Sequence, residues 1–241
     1  MNSTARDAVV ARLHALFSRW AAEPAIEFVE DASAAPGWST WGDLGAVRDS
    51  LSRVLADRMP PHSAITIVMR QRPVMVAAEL GAMALGHTAL LVSPLQADRA
   101  LATDVESLRA AVLVALGVDW SRPGFADAVA ASGALGLAVA DDGTVELRVD
   151  VADLQAGPAY DAAVTVLTSG TTGPPKRLPV AWAAFSELGG GPAGREPRSG
   201  AGALILSLPL VTLGGLLSTA RLVFMGRPMA ISPLTRFPRP A

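Results

Sequence analysis

Four runs dominated by apolar residues, Ile65 to Met69, Thr88 to Val92, Ala111 to Leu116 and Ala162 to Leu167, are separated by stretches whose apolar residues recur at helical spacing. Runs of this length are too short for buried helices and lack the alternation of half-exposed strands. They are therefore expected as strands covered on both faces. Val9, Leu13, Leu16, Phe17 and Trp20 share one face of an opening helix, and Ala25 to Val29 reads as a short strand after it. Thr40 with Asp43 has the spacing of a capping box, and Leu44, Val47, Leu51, Val54 and Leu55 supply the stripe of the helix it opens, which ends before Pro60-Pro61. Pro73 suits the first turn of a helix over Val74 to Leu85, and Gly86 suits its end. Leu101, Val105 and Leu108 mark another helix, Phe125 to Ala131 a further one, and Asp141-Asp142-Gly143 a hairpin turn. The alternation implies an α/β protein with mixed, largely parallel sheets covered by helices.

With 51% apolar and 17% charged residues, the chain has enough apolar surface for a sizeable core, which excludes a disordered role. A net charge of -2 with scattered arginines gives no footprint for nucleic acid. The absence of cysteine removes disulfides, thiolate nucleophiles and cysteine-based zinc sites, and suits the cytoplasm. The start Met1 to Asp7 lacks the apolar segment of a secretory signal. Ser199 to Ala220 carries no charge but is broken by Pro209 and Gly214-Gly215, so a strand, turn and helix, all buried, are expected there instead of a membrane span. Gly189 to Gly202 reads as a mobile loop. His14, His62 and His87 are isolated, and no metal site is expected; Met69, Met75 and Met83 read as core filling.

The strand Ala162 to Leu167 leads into Thr168-Ser169-Gly170-Thr171-Thr172-Gly173-Pro174-Pro175-Lys176. Glycines let backbone N–H groups turn toward an anion, hydroxyls donate to phosphate oxygens, and lysine adds a mobile charge. The spacing is not a Walker A loop: Gly170 and Gly173 stand only three apart, and Arg177, not a hydroxyl residue, follows Lys176. Nor is it a nucleophile elbow, because Leu167 stands where that motif needs glycine. Residue types alone leave two readings, a polyphosphate cradle and a polar turn between a strand and a helix.

The order T-S-G-T-T-G-x-P-K after an apolar strand resembles the phosphate loop of the adenylate-forming superfamily, which includes acyl-CoA synthetases, peptide-synthetase adenylation domains and luciferases. Pro24-Ala25-Ile26, Trp38 to Val54 and Ile65 to Pro94 resemble the family's opening, and Leu206 to Leu216 its second core segment, commonly P-L-F-H-x-G-G. The resemblance implies the fold of the family's N-terminal domain and ATP-dependent activation of a carboxylic acid as its acyl-adenylate, with transfer to coenzyme A or a carrier-protein thiol. ATP and Mg2+ are the implied cofactors. Thr168, Ser169, Gly170, Thr171, Thr172, Gly173 and Lys176 are implied to hold phosphates, and Thr212 and Gly214 to line the acyl side.

Two positions depart from the pattern. Thr212 stands where the family usually has a ring, and a wider pocket, a different acid and relaxed selection are all compatible with that. Arg177 replaces a glycine, either to assist polyphosphate binding or as a solvated side chain. The family's adenine segment, ribose aspartate and C-terminal catalytic lysine have no counterpart, so no catalytic residue is assigned. The resemblance implies an incomplete N-terminal domain over 1–241, with the C-terminal domain absent. Three roles follow: the phosphate-loop half of a ligase, a noncatalytic remnant or interaction module, or one piece of a split ligase. Self-association or a complementing C-terminal piece is expected.

Overall fold

Short local signals set the boundaries of most elements in the computed structural model, which describes residues 3–29, 37–56, 58–154, 160–168, 176–188 and 202–233. The chain opens with α1 (Ser3–Arg19), β1 (Pro24–Phe28), β2 (Gly37–Thr40) and α2 (Trp41–Leu55). It continues through β3 (Ala64–Val68), α3 (Pro73–Ala84), β4 (Thr88–Val92), α4 (Asp98–Leu108), β5 (Val112–Leu116) and α5 (Gly117–Trp120). Next come α6 (Phe125–Ser132), β6 (Leu135–Val139), β7 (Val145–Val149), β8 (Val164–Thr168) and β9 (Lys176–Val180). The last elements are α7 (Trp182–Leu188), β10 (Leu204–Ile205), α8 (Leu213–Phe224) and β11 (Met229–Ile231).

Among the described residues, one sheet has the order β7-β6-β5-β3-β4-β8-β9 and a smaller one the order β10-β11-β1-β2. In the larger sheet β6, β5, β3, β4 and β8 run parallel, with β7 and β9 antiparallel at its two edges. Alternate residues of each central strand serve different cores. Ile65 and Ile67 of β3 pack with α1, α2 and α3, whereas Ala64 and Val68 pack with α4 and α6. The first core also takes in α7, α8 and the small sheet through Phe185, Phe224, Ile26 and Met229. The mixed, largely parallel sheets flanked by helices match the expected class.

The local signals act as expected in several places. Thr40 and Asp43 close a reciprocal capping box, with Thr40 N donating to Asp43 Oδ2 at 2.7 Å and Asp43 N to Thr40 Oγ1 at 3.2 Å. Pro73 occupies the first turn of α3, and Gly86 takes φ +79° just beyond it. Gly143, at φ +83°, turns the β6–β7 hairpin. Met69, Met75 and Met83 are buried.

Other expectations need correction. The polar loop after β8 leads into a strand, β9, and not a helix, because Lys176 to Val180 pairs with β8. The segment expected as a strand, turn and helix, all buried, has β10 followed by the largely buried α8, but β10 is an edge strand and Ile205 is 85% exposed. β2 has no apolar run to mark it, and α7 has only the short stripe of Trp182, Phe185 and Leu188. Most of the glycine-rich stretch expected to be mobile, 189–201, lies outside the described residues. No helix among the described residues is long and apolar enough to cross a membrane.

All residues of α3 from Val74 to Ala84 are buried, since the helix lies between the small sheet, α2 and the large sheet. That burial includes Glu79, whose carboxyl is pushed up to about 8 by desolvation. His87, beyond Gly86, is pushed the other way, to about 4, chiefly by burial. Stability from the neutral Glu79 is complete below its ordinary value of 4.5 and is lost as pH rises toward 8. Stability from the neutral His87 is complete above its ordinary 6.5 and is lost as pH falls toward 4. Between 4.5 and 6.5 the two slopes oppose each other, and above 6.5 only Glu79 acts. Urea denaturation should therefore show stability falling by about 1.4 kcal/mol per pH unit from pH 6.5 to 8, and Glu79→Gln should flatten that decline. An unchanged slope in Glu79→Gln would assign the decline to another group.

Candidate functional site

Because β3, β4, β5, β6 and β8 are parallel, their carboxyl ends share one edge of the large sheet. The chain leaves β3 toward α3 on one face and β4 toward α4 on the other. Adjacent strands whose connections diverge in this way leave a crevice beyond their carboxyl ends, the usual ligand position in such sheets.

The loop singled out in the sequence meets this edge. Thr168 ends β8, Lys176 begins β9, and the two are directly opposed in the hairpin register. β8 lies against β4, so the hairpin opens beside the crevice. Ser169, Gly170, Thr171, Thr172 and Gly173 lie outside the described residues. Lys176 is exposed at the start of its strand. A cleft of about 600 Å3 runs along the adjoining face of α4 and reaches Leu167, with Arg99, Thr103 and Ser107 on its wall. A second cleft, about 390 Å3, opens on the α2 and α3 side between Trp38, Arg72 and the Asp141-Asp142-Gly143 turn. Of the two, the first adjoins the hairpin.

Thr212 and Gly214 sit at the other flank. Thr212 is the N-cap of α8: its hydroxyl donates to Pro209 O at 2.7 Å and accepts from Gly215 N at 3.2 Å. Gly214 stands in the first turn of α8. The preceding turn is tied to the end of β3, where the buried Gln71 Oε1 accepts from Leu210 N at 2.8 Å. The sheet edge thus carries both sequence-marked segments, one beside β4 and one bound to the end of β3.

A set of ion pairs laces the loops along this edge. The fully buried Asp119 takes two bonds from Arg70, from Nε at 2.8 Å and Nη2 at 2.7 Å, and stands 3.8 Å from Arg122 Nη1. The hydrogen bond to Asp119 holds the Arg70 guanidinium above its ordinary value despite burial. Arg122 also pairs with Asp98 at 2.8 Å and donates to the carbonyls of Pro94 at 2.9 Å and Gln96 at 2.5 Å. Nearer the hairpin, Arg177 pairs with Asp104 of α4, whose other oxygen accepts from Gln96 Nε2 at 3.1 Å. Arg177 is therefore neither a solvated side chain nor directed at the crevice alone. Apart from Arg177, none of these partners was marked in the sequence, and His14, His62 and His87 contribute nothing to this edge. Among the described residues, no cluster of His, Cys, Asp and Glu is arranged to hold a metal ion.

A family model described as AMP-binding enzyme matches residues 16–228. No curated protein matches the chain by sequence. The fold is similar to the apo crystal structure of MatB from Rhodopseudomonas palustris, at 20% identity and TM-score 0.69, covering 95% of this chain and 45% of that one. The ATP-bound structure of the same protein matches at 19% identity and TM-score 0.67, over 92% of this chain and 44% of that one. O-succinylbenzoate coenzyme A synthetase (MenE) from Bacillus subtilis, in complex with AMP, matches at 18% identity and TM-score 0.64, over 95% of this chain and 56% of that one. The chain spans about half the length of these structures.

Proposed function

Since the chain belongs to the AMP-binding enzyme family, we propose that it supplies the polyphosphate-holding half of an ATP-dependent ligase that activates a carboxylic acid. The observation that carries this reading is the opposition of Thr168 and Lys176 at the carboxyl edge of the sheet, within the family-matched residues. In the proposed reaction a carboxylate oxygen bonds to the α-phosphorus of ATP. The bond from that phosphorus to the bridging oxygen breaks, giving acyl-AMP and pyrophosphate. Charge develops on the departing pyrophosphate, so the useful contribution is a set of donors already in place.

Thr168, Ser169, Thr171, Thr172 and Lys176, with the amides around Gly170 and Gly173, are assigned to the β- and γ-phosphates. Magnesium, bound with the nucleotide, would neutralise phosphate oxygens. Thr212 and Gly214 are assigned to the acyl side. With its hydroxyl held by Pro209 O and Gly215 N–H, Thr212 shapes the wall there and does not orient the carboxylate. Transfer of the acyl group to a coenzyme A or carrier-protein thiol completes the proposed cycle.

The exposed Leu204, Ile205 and Leu208 at the β10 edge favour a second reading, in which a complementing polypeptide covers that edge and supplies the remaining contacts. Adding such a piece should restore carboxylate-dependent ATP–pyrophosphate exchange, whereas a noncatalytic remnant stays silent with any piece. In the active assembly, Lys176→Ala should lower the exchange rate by about 100-fold, the loss typical of removing one pre-placed donor. Exchange at the wild-type rate would remove the loop from the mechanism.

A further inference from the structure

We propose that the β7 edge of the large sheet pairs antiparallel with the β7 edge of a second copy of this chain, about a two-fold axis through Leu147. Among the described residues, β7 and β9 are the two edges of that sheet. β9 is poorly suited to strand pairing, since Pro179 offers no N–H. β7 differs in being matched to its own reversal. Its sequence is Val145-Glu146-Leu147-Arg148-Val149, so pairing centred on Leu147 sets Glu146 of each copy opposite Arg148 of the other, and Leu147 opposite Leu147. Opposite charges placed across from one another stabilise an antiparallel pair. Charged side chains commonly keep a sheet edge from pairing, but these two are arranged to attract a second copy.

The geometry of the strand fits this pairing. Arg148 Nη2 donates to Glu146 Oε2 at 2.8 Å within the chain, so both side chains project from one face, and they are 45% and 58% exposed. Leu147, between them, is 46% exposed. Ala140 N donates to Thr144 O at 2.9 Å, which makes Ala140 and Thr144 a hydrogen-bonded pair. Bonded and non-bonded pairs alternate along an antiparallel ladder, so Leu147, opposite Leu137, falls in a non-bonded pair, and its N–H and C=O point away from β6. Those two groups are the ones a Leu147–Leu147 pair would bond. The register shifts just beyond Leu147, and Val149 packs in the α4 and α6 core, whereas Val145 packs in the α2 and α3 core. The matched stretch is therefore short, Glu146 to Arg148, and the dimer belongs to the weak class that buries little surface. A second copy extends the sheet beyond β7 and leaves the β8–β9 hairpin clear at the far edge, so this pairing is independent of the phosphate-loop reading.

Sedimentation velocity on the full chain, from micromolar to millimolar concentration, reads the association of wild type, Glu146→Arg, Arg148→Glu, the double variant carrying both, and an equal mixture of the two single variants. Wild type should dimerise toward the upper end of the range. Each single variant sets like charges opposite one another twice and should weaken dimerisation about tenfold. The double variant should regain wild-type affinity. The mixture should form heterodimers at concentrations where neither single variant dimerises, because a basic edge then meets an acidic one. The pair within one chain cannot produce that result, since each single variant lacks it. A wild-type chain that stays monomeric throughout, single variants that dimerise as wild type does, or a mixture that stays monomeric would overturn the assignment. Association abolished by Ile205→Lys and indifferent to the charge variants would also overturn it, and would move the interface to β10.

Discussion

Gly215→Ala is expected to destabilise the chain by about 3 kcal/mol, at the upper end of the usual cost of forcing an extra methyl into packed structure. A Cβ at this position would stand 2.1 Å from Pro209 O, 2.7 Å from Pro209 C and 3.0 Å from Leu210 Cα. All three are backbone atoms, so no rotamer change relieves the overlap. Relief requires moving the 209–212 turn, which is held by Thr212 N and Oγ1 on Pro209 O and by Leu210 N on Gln71. Alanine gains up to about 1 kcal/mol of helix propensity over glycine, too little to offset the clash. Gly214→Ala is the internal control. Its Cβ would meet Leu208 Cδ1 at 3.1 Å, the end of a flexible and exposed side chain, so the overlap is cheap and propensity makes the change about neutral. Thermal and urea midpoints of the two variants check this contrast; equal midpoints would mean that α8 and the Pro209 carbonyl are not in close approach.

Asp119→Ala is the second large effect, again about 3 kcal/mol, because removing one partner of a buried pair leaves charge without compensation. Asp119 has no exposed surface and receives both Arg70 bonds, with Arg122 near its other side. Arg70 is 30% exposed and regains some hydration when the carboxylate goes, which keeps the loss at the lower end of the range for buried pairs. Asp119→Asn retains an acceptor and should cost less. A double-mutant cycle with Arg70→Met isolates the pair, and a coupling near zero would show that Asp119 acts through packing alone. The loops after β3, β4 and β5 meet at this residue, so its loss should also loosen the carboxyl edge where the proposed site lies.

Much of the fold was legible because its signals are local. β3, β4 and β5 are covered on both faces, and each therefore reads as a continuous apolar run. Thr40 and Asp43 lie three residues apart, and Pro73, Gly86 and Gly143 each answer to the backbone at one position. β2 and β9 were illegible for the opposite reason. Neither Gly37-Trp38-Ser39-Thr40 nor Lys176-Arg177-Leu178-Pro179-Val180 has strand patterning, and each is a strand because a neighbour pairs with it.

The site divides in the same way. Hydroxyls, glycines and a lysine in a fixed order were readable along the chain, as was the Gly214-Gly215 pair. That Gly215 is the tightly packed one depends on the course of the Pro209 carbonyl. Arg70 and Asp119 are 49 residues apart and Arg177 and Asp104 are 73 apart, distances over which no spacing rule links a guanidinium to its carboxylate. Thr212 was implied to line the acyl side, and the N-cap it forms depends on where α8 begins.

The central claim, that the segment from Thr168 to Lys176 holds polyphosphate, is tested most directly by calorimetric titration of the wild-type chain and Lys176→Ala with magnesium ATP, inorganic tripolyphosphate and adenosine. The account predicts that tripolyphosphate competes with ATP for the wild-type chain and that Lys176→Ala weakens both by about tenfold or more, as loss of one charged phosphate contact should. Adenosine should compete poorly. ATP binding that adenosine displaces, that tripolyphosphate leaves untouched and that Lys176→Ala does not weaken would contradict it.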